Sequence, residues 1–138
     1  MEVALTLPLV PDVELIAARA VQVMGRSLGM TDGELESVTV ATVEACLNAM
    51  EHGGQTCFFV RVNTHREDGG PSLEVEIEDH GVGFDPQAPP RTSPSRILGC
   101  VAKRGWGLTL IRELMDEVDV RSRPGKTVVR MVKHVGGA

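Results

Sequence analysis

VATVEACLNAMEHGG, residues Val40 to Gly54, is the stretch on which the reading of this chain turns. Glu44, Asn48 and His52 fall at every fourth position, and because an α-helix turns about 100° per residue they form a slowly drifting stripe on one face. The other side carries Val40, Val43, Cys46, Leu47 and Met50, an apolar surface expected to pack into a core. Taken alone, the stripe has two readings: the solvated face of an amphipathic helix, or polar groups aimed together at one site.

Upstream, Thr31-Asp32-Gly33-Glu34 has the spacing of a capping box, so the long helix is predicted to open there and to stop at Gly53-Gly54. Before it, Val13, Ile16, Ala17, Ala20, Val21, Val23 and Met24 give an earlier helix its apolar face. Asp12 is its expected cap, and its end is expected near Leu28. Val3 to Leu7 alternates as a short strand closed by Pro8 and Pro11.

Downstream, Thr56 to Thr64 and Leu73 to Glu78 each alternate apolar and polar residues around a turn at Glu67 to Gly70, which predicts a hairpin. From Phe84 to Arg104 the composition shifts to Pro, Ser, Thr and basic residues, and a loop of that length inside a domain is a candidate active-site lid. Leu108 to Met115 then reads as a short helix, and Val118 to Arg123 with Lys126 to Lys133 as a second hairpin turned at Pro124-Gly125. Too few helices are present to cover both faces of a sheet. The expected fold is therefore an α/β two-layer sandwich, a mixed β-sheet covered on one face by helices, in one domain spanning 1–138 with its lid at about 85–104.

Composition narrows the function classes. The chain has 138 residues, 42% hydrophobic and 24% charged, which is ordinary for a globular domain. No apolar run approaches the ~20 residues of a membrane span, and the N-terminus lacks a signal-peptide pattern, so no membrane partner and a cytoplasmic location are expected. A net charge of −5 and few aromatic side chains disfavour a nucleic-acid partner. Cys46, Cys57 and Cys100 have no paired spacing and read as reduced thiols, Cys46 as a core residue.

Two glycine motifs carry the remaining chemistry. Asp79-His80-Gly81-Val82-Gly83-Phe84 follows a strand, where the glycines permit a tight bend and the carboxylate can accept from an amino group. An ordinary turn is the competing reading of this hexapeptide. Gly105-Trp106-Gly107 precedes a helix, whose free N–H groups and positive dipole end favour a phosphate.

Together, E-A-x-x-N-A-x-x-H at 44 to 52, D-x-G-x-G-F at 79 to 84, the Pro-rich lid and R-G-x-G-L at 104 to 108 resemble the boxes of the GHKL ATPase superfamily. Within it the chain is similar to the bacterial anti-sigma-factor serine/threonine kinases and their switch-kinase relatives, along nearly its whole length. The resemblance extends to MDEVDV at 115 to 120 and the terminal G-K-T-V-V-R-M at 125 to 131, and it leaves no room for the dimerisation helices of a histidine kinase. It implies the Bergerat (GHKL) fold, ATP and Mg²⁺ as cofactors, and an enzyme that phosphorylates a serine or threonine of an STAS-type anti-sigma-factor antagonist, so controlling sigma-factor availability. A homodimer is also implied.

By the same resemblance Glu44 is the base, Asn48 the side-chain oxygen ligand of Mg²⁺, and Asp79 the acceptor of the adenine amino group. Gly81 and Gly83 admit the nucleotide. Gly105, Trp106, Gly107 and Leu108 form the phosphate loop, and Thr127 supports Asp79 through water. Arg104 is the cation expected to stabilise charge during transfer, with Lys103 beside it. His52 is expected to end the helix rather than join the chemistry. Lys126 within Gly-x-Thr and the bulky Trp106 depart from the usual pattern without removing a catalytic group. The rival readings are a nucleotide-dependent binding module with little turnover and an adaptor with no nucleotide site.

Overall fold

The computed structural model of the chain describes residues 1–52, 56–81 and 107–136, the side chain of His52 excepted. The order is β1 (Glu2–Pro8), α1 (Glu14–Ser27), α2 (Asp32–His52), β2 (Cys57–Glu67), β3 (Gly70–Asp79), α3 (Gly107–Leu114), β4 (Glu117–Arg123) and β5 (Lys126–His134). The strands form one five-stranded sheet in the order β1-β2-β3-β5-β4.

The expected α/β architecture is present, with one correction. Every neighbouring pair among the described strands is antiparallel, so the sheet is not mixed. The crossover from β3 through α3 does leave β3 and β4 pointing the same way. The tight hairpin at Pro124-Gly125, with Gly125 at φ 93°, then folds β5 back into the gap and separates them.

Strand alternation sorts the sheet into two faces. Phe58, Val60 and Val62 on β2, Leu73, Val75 and Ile77 on β3, and Val129 and Met131 on β5 face the helices and are buried. Arg61, Glu74, Glu76, Glu78 and Arg130 occupy the opposite phase. The core lies between the first face and the helices, where Val21 and Met24 of α1, Val38 of α2 and Ile111 of α3 join it.

The central helix packs on a different side from the one its large apolar residues suggested. Val40 is 36% exposed, and Val43 and Leu47 are only half-buried. The buried line is Leu35, Val38, Ala41, Ala45 and Ala49, with Cys46 beside it as expected. The reason is steric. Because α2 lies between α1 and α3 while also resting on β3 and β5, close approach on several sides selects small side chains over large ones. That rotation carries Asn48 inward.

The helix starts divide in the same way. The capping box at α2 forms as predicted, with the Glu34 N–H donating to Thr31 Oγ1 at 3.1 Å and the Thr31 N–H donating to Glu34 Oε1 at 2.9 Å. At α1, Asp12 does not cap. It adopts φ 69°, within the left-handed region that Asp tolerates, and Val13 takes the cap position with no side-chain bond. Among the described residues no helix is long and apolar enough to cross a membrane.

Candidate active site

Two clusters of buried polar side chains meet the helix-covered side of the sheet. The first belongs to α2. Glu44 and Asn48 stand one turn apart, and Asn48 is 6% exposed although its carboxamide is fully polar. Glu44 buries Oε2, which has no hydrogen-bond partner among the described residues.

Asn48 lies against the first residue of α3. A β-carbon placed on Gly107 would fall 2.8 Å from Asn48 Nδ2 and 3.1 Å from Oδ1, closer than side chains approach. A glycine here lets the backbone lie directly against the Asn48 amide. It brings the α3 N-terminus, whose first N–H groups lack partners within the helix, up to the Asn48 amide. Leu108 follows, half-buried against the core.

The second cluster lies at the end of β3. Asp79 is 3% exposed, and its Oδ1 accepts the Gly81 N–H at 2.9 Å, closing a tight turn after the strand. The Gly81 carbonyl accepts the Gly125 N–H, also at 2.9 Å, which ties this turn to the β4–β5 hairpin. Asp79 pairs in register with Thr127, which is 1% exposed. The Thr127 hydroxyl lies 2.7 Å from that of Ser122.

Residues 9–133 match the family description of a histidine kinase-like ATPase domain. The chain belongs to that family. Among its relatives, the serine-protein kinase RsbW of Bacillus subtilis is 32% identical over 80% of this chain and 71% of its own. The anti-sigma F factor of Pasteuria penetrans is 32% identical over 88% of this chain and 83% of its own. In fold, the chain is similar to the crystal structure of the RsbU and RsbW domains of Rv1364c from Mycobacterium tuberculosis, with a TM-score of 0.71, 16% identity and coverage of 98% of this chain and 32% of that one. Within this ATPase family the chain stands with the serine-protein kinases and anti-sigma factors.

For this ATPase domain the sequence proposed a set of site residues, and the structure groups Asn48 with Gly107 and Asp79 with Gly81 and Thr127. Gly83, Lys103, Arg104, Gly105 and Trp106, together with the lid at about 85–104, lie outside the described residues, as does the His52 side chain. Lys126 carries its charge to the outer face, with Nζ 4.0 Å from Glu78, and leaves its neighbour Thr127 turned inward. Cys46, between Glu44 and Asn48, is no competing nucleophile: burial, and secondarily the Glu14 carboxylate, push its thiol up to about 12. Ser122 was missed. The signal for it was present, because Val118, Val120 and Ser122 share one phase of β4 and the third position is polar where the first two are apolar.

Proposed function

We propose that the chain is an ATP-dependent protein serine/threonine kinase that acts as an anti-sigma factor or related switch kinase. Its substrate is an STAS-type antagonist, and phosphorylation of that antagonist controls the availability of a sigma factor. The observation that carries the reading is Glu44 Oε2, a carboxylate oxygen withdrawn from water one turn from Asn48 and, among the described residues, without a hydrogen-bond partner. Such an atom is costly to maintain unless a partner arrives, and an incoming hydroxyl is a suitable one.

In this mechanism Glu44 takes the proton of the substrate serine or threonine as its oxygen forms a bond to the γ-phosphorus of ATP. The bond from that phosphorus to the β,γ-bridging oxygen breaks, and ADP leaves. Asp79 accepts from the adenine amino group, while the main-chain N–H groups that begin α3 face the phosphates. Arg104, with Lys103 beside it, is assigned to the charge that develops on the transferred group.

The donor set suits Mg²⁺. Among the described residues no three His, Cys, Asp or Glu side chains converge on one point, and a magnesium ion that takes one amide oxygen from Asn48 with phosphate oxygens and waters needs no such cluster. When bound, it neutralises phosphate charge. The homodimer is supported by α1, where Leu15, Ile16 and Val23 remain exposed beside Val3 of the edge strand β1.

The test is incubation of the purified chain with γ-labelled ATP, Mg²⁺ and the STAS-domain proteins of the same genome. Labelled phosphoserine or phosphothreonine on one of them is expected. Nucleotide binding without any labelled protein across that set would reduce the chain to a nucleotide-responsive binding module.

A further inference from the structure

β4 is an edge strand. It pairs with β5 on one side, and among the described residues no strand lies on the other. Such an edge presents a row of N–H and C=O groups to any strand that can approach, and natural sheets usually blunt it with charge. Here the charges are ordered. Glu117, Asp119, Arg121 and Arg123 alternate with Val118, Val120 and Ser122, so the four charged side chains share the exposed outer face, two acids followed by two bases. The opposite edge, β1, carries a single charge, Glu2, and ends at Pro8.

The order on β4 is complementary to itself. When a second copy of the strand lies antiparallel with Val120 on the twofold axis, Glu117 opposes Arg123 and Asp119 opposes Arg121, and symmetry makes each pair twice. Sliding the copy by two residues one way sets Asp119 against Asp119, and the other way Arg121 against Arg121. A slip of one residue turns the charged face of one strand against the half-buried face of the other. Parallel pairing in register places like charges side by side along the whole strand. The register about Val120 is therefore the one that opposes only unlike charges.

The surroundings fit the same occupant. Across the hairpin Arg123 opposes Lys126, a like-charged pair that Glu117 of a second copy would relieve. Arg121 Nε donates to Asp119 Oδ2 at 3.0 Å along the strand, and the Arg121 side chain is 84% exposed. Its guanidinium keeps further donors for an opposed carboxylate.

We propose that the outer edge of β4 is an interface with a second copy of this chain, paired antiparallel about Val120 so that the two sheets continue as one. This contact is separate from the α1 face, which adjoins β1 at the other edge of the sheet, and it does not depend on the nucleotide site.

The test follows association of the full chain by sedimentation at low salt for wild type, Asp119→Arg, Arg121→Glu and an equimolar mixture of the two variants. Each reversal alone puts two like-charged pairs into the contact, so the dissociation constant of this step should rise about 10- to 100-fold. In the mixture each variant supplies the charge that the other has reversed, and association of unlike chains should return to near the wild-type strength. Val120→Cys, in a Cys57→Ser, Cys100→Ser background, locates the contact. On the axis its β-carbon lies about 4.5–5.5 Å from that of its copy, so mild oxidation should link the two chains. Val118→Cys in the same background should link poorly, because its copies lie four residues apart along the strands, about 13 Å. Rescue in the mixture together with the preference for position 120 sustains the inference. Equal association of all four preparations, as contact through the α1 face alone would give, overturns it. So does failure of the mixture to recover, or equal linking of the two cysteine variants.

Discussion

On β3, residues one position apart live under opposite conditions. Val75, Ile77 and Asp79 face the helices, and Asp79 is buried as deeply as its apolar companions. Glu74, Glu76 and Glu78 face outward and meet Arg130, Arg61 and Lys126 from the neighbouring strands. The outward charges form a solvated ladder in which each ion pair is screened and adds little. An inward carboxylate has no such shelter. Its burial is costly even with the Gly81 N–H donating to Oδ1, so its presence points to use rather than stability.

That contrast predicts where substitutions act. The largest effect is expected at the helix side, where Glu44→Gln removes the base but keeps the shape. Phosphotransfer should fall by about 10²- to 10⁴-fold, with ADP affinity changed by no more than about twofold. Rate and affinity measured on the same preparation check it, and an unchanged rate would remove Glu44 from the mechanism.

Next comes Asp79→Ala, for which ADP affinity by calorimetry should weaken about 10- to 100-fold, the loss of a charge-assisted bond and of the turn it holds. On the outer face Glu76→Ala should leave that affinity unchanged and shift stability by less than about 0.5 kcal/mol in denaturant unfolding. A comparable loss from both would mean that the two faces of β3 are not distinct in function.

Gly107→Ala sharpens the comparison on stability. Its new methyl group enters the space of the Asn48 amide, so unfolding should show a destabilisation of about 1–3 kcal/mol from overpacking. Asn48→Ser shortens the opposing side chain. In that background the cost of the alanine should shrink, and a double-mutant cycle should return a coupling of about 0.5–3 kcal/mol. Additive costs would show that the two residues do not share the space.

Much of this division was legible in the sequence. The alternation in LEVEIED assigns Asp79 to the apolar phase, and the same counting exposes Thr127 beside Val129 and Met131 and Ser122 beside Val118 and Val120. A polar residue in an apolar phase is the physical signature of the site. The capping box was legible because its bonds are local in the chain. The buried side of α2 was not, because residue hydrophobicity says which side chains prefer burial but not how closely three neighbours approach. Only the assembled fold shows that Ala41, Ala45 and Ala49 face inward and draw Asn48 with them. The antiparallel pairing was hidden for a related reason, since local patterns do not reveal that β5 inserts between β3 and β4.

The smallest expected effect tests the outer ladder by pH. Burial alone would raise the Glu74 carboxyl, but hydrogen bonds from Arg130, His65 and Asn63 outweigh it and hold the group below its ordinary value of 4.5. A group depressed in the folded state adds stability above its unfolded value, and that contribution is lost as pH falls through the folded one. Glu74→Gln abolishes the term, so wild type should exceed the variant by up to about 1 kcal/mol near pH 7. The difference should fade below the ordinary carboxylate range. Denaturant midpoints of the two proteins from pH 7 to pH 3 check the sign, and a gap that grows steadily down to pH 3 would show that Glu74 is not held in its charged form.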